Sequence, residues 1–74
     1  MRKTSRAAIA ANVRAELARR RVAAGHLGAE MGLSPAAMSR RLNGDVEFTV
    51  GELQTIAGRL GVPLDLLLAE KATA

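Results

Sequence analysis

Cysteine, tryptophan and tyrosine are absent from this chain of 74 residues, which has one phenylalanine, one histidine and two prolines. Without cysteine, neither a disulfide nor a thiolate metal site can supplement the core. The lone histidine, His26, has no partner set for a metal ion. The spacing of serine, histidine and acidic residues suggests no catalytic triad, and no glycine-rich phosphate loop is present. We therefore expect no enzyme activity, no cofactor and no metal site.

Long apolar runs are also missing. Asn12, Arg14 and Glu16 interrupt the chain before a signal-peptide core of ~7–15 apolar residues can form. No segment approaches the ~20 apolar residues that cross a bilayer. We expect one domain over residues 1–74, with an ordered core over about residues 5–70, located in the cytoplasm. No membrane partner and no small-molecule ligand are expected.

Positive charge is concentrated in the first part of the chain. Up to Gly44 there are nine basic and two acidic residues, a net charge of +7. From Asp45 onward, two basic and five acidic residues give −3, and together these make the net charge of +4. A basic part of this kind favours contact with a polyanion. An ordinary solvated surface can have the same composition, so charge alone leaves both interpretations open.

Apolar spacing and helix-end signals predict an all-α chain of five helices. The predicted helices cover about Ser5–Arg20, Ala23–Met31, Pro35–Leu42, Val50–Leu60 and Pro63–Glu70. Ser34 is a good N-cap, and Thr49 with Glu52 forms a capping box. Thr4 or Ser5 can cap the first helix. The single aromatic residue then precedes the capping box, where it favours core packing over stacking on a base.

The stretch over residues 32–44, GLSPAAMSRRLNG, joins the second and third helices through a short turn that contains glycine. Such a pair is typical of a helix-turn-helix, although a purely structural helix pair has the same spacing. Met38 and Leu42 lie four residues apart and face inward, which leaves small and polar residues on the other side. A helix of this kind can enter the major groove of DNA. Arg40 suits base reading there because its fork matches O6 and N7 of guanine.

Three motifs follow one another along the chain. They are LGxxMGLSxxxMSRxLNG over residues 27–44, FTVxEL over residues 48–53 and LGVPL over residues 60–64. In this order they resemble the phage lambda repressor/Cro-type (XRE-like) helix-turn-helix family, over about residues 13–68. The resemblance implies a five-helix, lambda-repressor-like domain that binds double-stranded DNA sequence-specifically. The implied role is that of a transcriptional regulator, such as a phage or bacterial repressor.

By this resemblance, the third helix is the recognition helix. The residues expected to face the bases are Ser34, Pro35, Ala36, Ser39 and Arg40. The residues expected near phosphates are Arg19, Arg20, Arg21, His26, Arg41 and Asn43. The arginine triplet has a second interpretation, because positive charge in the last turn of a helix also complements the helix dipole.

Two places depart from the family pattern. Ala23 and Ala24 stand where the family usually has serine and glutamine, so the side-chain cap and an anchor to phosphate are missing at the start of the second helix. Gly25 weakens that start further, by up to ~1 kcal/mol relative to alanine. Arg41 occupies a position that is often aliphatic in the family, so its direction stays open.

Two other functions remain open at this stage. The first is a protein-interaction module, antitoxin-like or adaptor, that uses the same fold. The second, a membrane-surface binder, is less favoured because the arginines do not lie opposite a large apolar face on one long helix.

We also expect a weak homodimer, because a single domain needs a second copy to read two half-sites. Helical spacing predicts that Leu64, Leu67 and Leu68 point inward and that Leu66 points outward. Leu66 is therefore the predicted dimer contact.

Overall fold

Five helices follow one another along the chain, as the sequence predicts. The computed structural model describes residues 5–70. Its helices are α1 (Arg6–Arg20), α2 (Ala24–Glu30), α3 (Pro35–Leu42), α4 (Val50–Leu60) and α5 (Leu64–Leu68). No strand occurs within residues 5–70, so the predicted all-α class is confirmed.

Side-chain caps begin three of the helices where the sequence predicts them. The Ser5 hydroxyl caps α1 and accepts a hydrogen bond from the backbone N–H of Ala8 at 3.1 Å; Thr4, the other candidate, lies outside the described residues. Ser34 caps α3 in the same way. At α4, Thr49 accepts from the N–H of Glu52 at 3.0 Å while a Glu52 carboxylate oxygen accepts from the N–H of Thr49 at 3.0 Å. This reciprocal pair is the predicted capping box.

The start of α2 has no such cap. Ala23 is the N-cap residue, with φ −72° and ψ 128°, and it makes no side-chain hydrogen bond. The backbone conformation is therefore that of a capped helix, while the oxygen that would bond the free N–H groups is missing. The side-chain cap that the sequence lacks at this position is not replaced by another residue.

The core forms around α1, which packs against α3, α4 and α5. The largest fully buried side chains come from all five helices and are Val13, Leu27, Met38, Ile56 and Leu67. Each contributes roughly 1.5–3 kcal/mol through removal of apolar surface from water. Phe48 is 8% exposed and belongs to the same core as Leu53, in agreement with its predicted packing role.

The last helix departs from the prediction in length and in rotation. It ends at Leu68, and Pro63 is its N-cap residue instead of its first residue. Leu68 is 37% exposed, whereas Leu66 is partly buried against the core, so the predicted outward direction of Leu66 is wrong. The physical reason is a buried contact from α1. The Asn12 side-chain amide donates to the carbonyl oxygens of Leu67 at 2.8 Å and Ala69 at 2.7 Å, which fixes how this short helix is turned.

The α2–α3 pair depends on one close contact between its helices. Gly28 is buried against Met38, and a Cβ atom at residue 28 would lie 2.9 Å from the Met38 Cγ atom. The turn is held by the N–H of Leu33, which donates to the carbonyl oxygen of Gly28 at 2.8 Å. Gly32 supplies the positive φ of 77° that this turn requires. The absence of a side chain at residue 28 therefore sets the distance between α2 and α3.

We expect Gly28→Ala to lower the free energy of unfolding by ~1–2 kcal/mol, because overpacking costs ~1–3 kcal/mol and better helix propensity offsets part of it. Gly58→Ala is the matched control. A Cβ atom there meets nothing within 4 Å, so this variant should gain ~0.5–1 kcal/mol. Urea denaturation measures both changes. Equal stability of the two variants would contradict the close contact.

We expect Ala23→Ser to raise the free energy of unfolding by ~0.5–2 kcal/mol, because a hydroxyl at this N-cap can accept from a free N–H of the first turn. Ser34→Ala serves as the reverse control, since it removes an existing cap of the same kind and should cost a similar amount. Thermal melting followed by circular dichroism measures both. If Ala23→Ser leaves the melting temperature unchanged, α2 begins at another residue.

Candidate nucleic-acid interface

The outer face of α3 is built from small and polar side chains. Met38 is only 2% exposed and anchors the inner face of the helix. All five predicted base-facing residues are exposed: Ser34, Pro35, Ala36, Ser39 and Arg40. Positions 35, 36, 39 and 40 lie on one side of an α-helix because they are separated by one, four and five residues. The structure therefore brings these residues together on one surface, which we call the α3 surface.

Arg40 is the charged residue of the α3 surface. Its side chain makes no hydrogen bond or ion pair within residues 5–70, while its carbonyl oxygen accepts from the N–H of Asp45 at 2.9 Å. The backbone is therefore held in place while the guanidinium, with five N–H donors, is available to a partner.

Arg41 has a different direction from its neighbour. Its Nε atom donates to Glu52 Oε1 at 3.0 Å, and its Nη1 atom donates to the carbonyl oxygen of Ala37 at 3.2 Å. The side chains of Arg41 and Glu52 are 16% and 17% exposed. This placement settles the direction that the sequence left open, and it does not favour the predicted phosphate contact. Arg41 connects α3 to the start of α4.

The three residues of the arginine triplet differ in the hydrogen bonds that their side chains make. Arg19 and Arg20 both donate to the carboxylate of Glu16, a residue that is 2% exposed. Arg20 also donates through Nε to the carbonyl oxygen of Leu60 at 3.0 Å. A buried carboxylate is costly unless it is paired, so these two arginines are used first to compensate Glu16. The Arg19 side chain nevertheless stays 60% exposed, against 36% for Arg20.

Arg21 is the third member, and its backbone is unusual. It is the C-cap residue of α1 and has φ 55° and ψ 43°, the left-handed conformation that is normally taken by glycine. Its N–H donates to the carbonyl oxygen of Ala18 at 3.2 Å, and its exposed side chain makes no hydrogen bond or ion pair within residues 5–70. An arginine in this conformation costs on the order of 1 kcal/mol. The backbone is therefore strained at Arg21, although its guanidinium makes no hydrogen bond or ion pair within residues 5–70.

A shallow groove of about 350 Å³ runs beside the α3 surface. Its lining residues come from α1, the start of α2, and α3 with its C-cap: Arg14, Ala24, Gly25, Pro35, Met38, Ser39, Leu42 and Asn43. The small residues at the start of α2 leave this space open. Asn43, one of the residues predicted near phosphates, is among these lining residues.

The groove also contains a basic residue that the sequence analysis missed. Arg14 lines the groove and donates to the carbonyl oxygen of Leu42 at the end of α3. It follows the fully buried Val13, which places it at the edge of the buried face of α1. A basic residue next to a core position was the available signal in the sequence. His26 is exposed on α2, and no cluster of three potential metal ligands occurs within the described residues.

No helix between residues 5 and 70 is long and apolar enough to cross a membrane. A comparison with curated proteins and a comparison with solved structures find no match to the chain. A scan against family models gives a match to the BetR domain over residues 4–74. Because this match covers nearly the whole chain, the protein belongs to the BetR domain family, a family of small helical domains.

Proposed function

We propose that this protein is a sequence-specific regulator of transcription that binds double-stranded DNA. In this proposal α2 and α3 form a helix-turn-helix of the lambda repressor/Cro type, and α3 reads the major groove. The observation that carries the proposal is the α3 surface, where small side chains surround an arginine with no internal partner.

The dimensions of α3 support this function. An α-helix with its side chains is roughly 10–12 Å in diameter, which fits the ~12 Å width of the major groove. Pro35 and Ala36 are small enough to let the backbone approach the base edges. Ser39 and Arg40 then supply hydrogen-bonding groups, and a bidentate arginine–guanine contact is the commonest specific one.

The distribution of paired and unpaired arginines also supports a polyanionic partner. Residues 5–70 contain eight arginines, and six of them donate to other residues of the chain. The two that do not are Arg21 and Arg40. Arg21 is the C-cap residue of α1 and lies three residues before Ala24, which lines the groove. Arg40 is on the α3 surface, and both unpaired arginines are exposed.

We assign the phosphate contacts mainly to Arg21, with further contributions from Arg19, His26, Asn43 and the newly identified Arg14. Arg19 keeps N–H groups for a phosphate because only part of its fork is used by Glu16. Arg20 has less capacity, since it bonds both Glu16 and a backbone carbonyl.

A protein-interaction module is the second candidate. Two exposed apolar side chains, Val46 at 36% and Val50 at 66%, lie in and after the α3–α4 connection and favour it. Isolated exposed valines are ordinary on protein surfaces, however. A titration with duplex DNA at two salt concentrations separates the candidates, because only a DNA reader shows both a steep salt dependence and a sequence preference.

A weak symmetric homodimer remains part of the proposal, but Leu66 does not support it as the contact, because its side chain packs against the core. Leu68, two residues further along α5, is the exposed large apolar residue of this helix. A dimer would select an inverted repeat with half-sites about one DNA turn (~34 Å) apart.

We expect Arg40→Ala to lower affinity for the preferred site by ~1–3 kcal/mol and to relax the preference at one base pair, because a bidentate base contact is lost. Binding-site selection from random duplex DNA, carried out with both proteins, measures the change. Arg59→Ala is the charge-matched control, because Arg59 pairs with Glu30 at 3.1 Å and lies outside α3. An Arg40→Ala protein that selects the wild-type sequence would show that Arg40 does not read a base.

We expect Arg21→Gly to change stability and binding in opposite directions. Glycine relieves the left-handed strain, so the free energy of unfolding should rise by about 1 kcal/mol. Loss of one phosphate contact should weaken binding to all sequences alike and reduce the slope of log K against log salt by about 1.

Arg21→Asn is the control for this result, because asparagine tolerates the left-handed conformation without charge. It should weaken binding as Arg21→Gly does. Full affinity and an unchanged salt slope in both variants would remove Arg21 from the interface.

A further inference from the structure

Arg41 and Glu52 form a link between α3 and α4. Within residues 5–70 theirs is the only side-chain hydrogen bond between these two helices. The helices are otherwise not closely packed, because α3 packs mainly on α1 and α2, and α4 on α5 and α1. Both helices pack on α1, which sets their general orientation, and within residues 5–70 this pair is the direct polar side-chain link between them.

The Glu52 carboxylate has two functions in the structure. The same oxygen, Oε1, accepts from Arg41 Nε at 3.0 Å and from the N–H of Thr49 at 3.0 Å. The start of α4 and the last turn of α3 are thus fixed to one atom. The capping box makes the position of that atom well defined, because the Thr49 hydroxyl bonds the backbone of Glu52 in return.

The burial of this pair argues against a role in stability alone. Its side chains are 16% and 17% exposed, so both groups have lost most of their hydration. For such pairs the desolvation cost offsets much of the Coulomb attraction. Apolar residues of similar volume in their place often give the same or higher stability. In the structure the pair has a defined geometry, because Glu52 Oε1 accepts from both Arg41 Nε and the N–H of Thr49.

Arg40 is the neighbour that this geometry affects. It precedes Arg41 on α3, about 100° further round the helix, so any rotation of the last turn carries both residues. We infer that Arg41 and Glu52 are a positioning pair, which holds Arg40 at the angle required to read a base and so determines sequence discrimination. This inference rests on the proposed DNA-binding function. Phosphate contacts from Arg21 and Arg19 lie on another element and do not depend on this angle.

The test is Glu52→Gln in the full chain. Glutamine keeps the capping box, since its amide oxygen still accepts from Thr49, but it removes the charge that holds Arg41. Affinities for the selected site and for random duplex DNA are measured by titration, and thermal melting checks the fold. We expect the ratio of specific to random affinity to fall roughly tenfold, with only a small change in melting temperature.

Two further variants make the result specific to this pair. Glu30→Gln breaks the other ion pair that joins the α2–α3 unit to α4, with Arg59, and should leave the ratio unchanged because that pair is exposed and outside α3. Arg41→Gln should lower the ratio as Glu52→Gln does. The double variant should lose no more than either single one, since the two residues act through each other.

The outcomes separate the alternatives. If Arg41 instead contacts a phosphate, Glu52→Gln frees it and raises affinity for both DNAs, and the positioning role is overturned. An unchanged ratio in both single variants, or a ratio that falls only when the protein unfolds, also overturns it. Failure of the proposed function itself is distinct, because the wild-type protein then shows no preferred duplex site.

Discussion

The close approach of α2 and α3 is the constraint on which the rest of the structure depends. Gly28 lets α2 lie against Met38, and Met38 is thereby almost completely buried. Because side chains on an α-helix point in directions fixed by their spacing, burial of Met38 turns Ala36 and Arg40, each two residues away, to the opposite side. Pro35 and Ser39 lie at the edge between the two sides. The exposure of Arg40 on the α3 surface therefore follows from a packing contact on the other side of the helix.

The net charge of this protein does not show how many cationic groups are available to a partner. The net charge is +4, yet most arginines within residues 5–70 are occupied by carbonyl oxygens or by Glu16, Glu30 and Glu52. Buried carboxylates require such partners, since an unpaired charge inside a protein is strongly unfavourable. What remains for an external anion is a small number of guanidinium groups at defined places. Their location carries more information about function than the charge of the chain does.

The sequence predicts the features that depend on neighbouring residues. Three such features are present in the structure: the cap at Ser34, the cap at Thr49 and the inward direction of Met38. Each depends on residues that are three or four positions away. Features set by distant residues are either predicted wrongly or left open. The rotation of α5 depends on Asn12, which lies 55 residues from its partner Leu67, and the direction of Arg41 depends on Glu52 in the next helix. No local pattern contains these contacts, because tertiary packing decides them.

Unfavourable helix-end residues accumulate at the start of α2, whose first residues line the groove beside the α3 surface. The start of α2 has no side-chain cap, is followed by Gly25, and comes after the left-handed residue Arg21. The start of α5 at Pro63 also lacks a side-chain cap, but within residues 5–70 only the start of α2 combines a missing cap with a left-handed non-glycine residue just before it. Proteins commonly concentrate strain and weak local structure where a partner binds. In the proposed complex, contacts between DNA and this region would supply the stabilisation that the free protein lacks, and small side chains at Ala24 and Gly25 would leave room for the DNA strand.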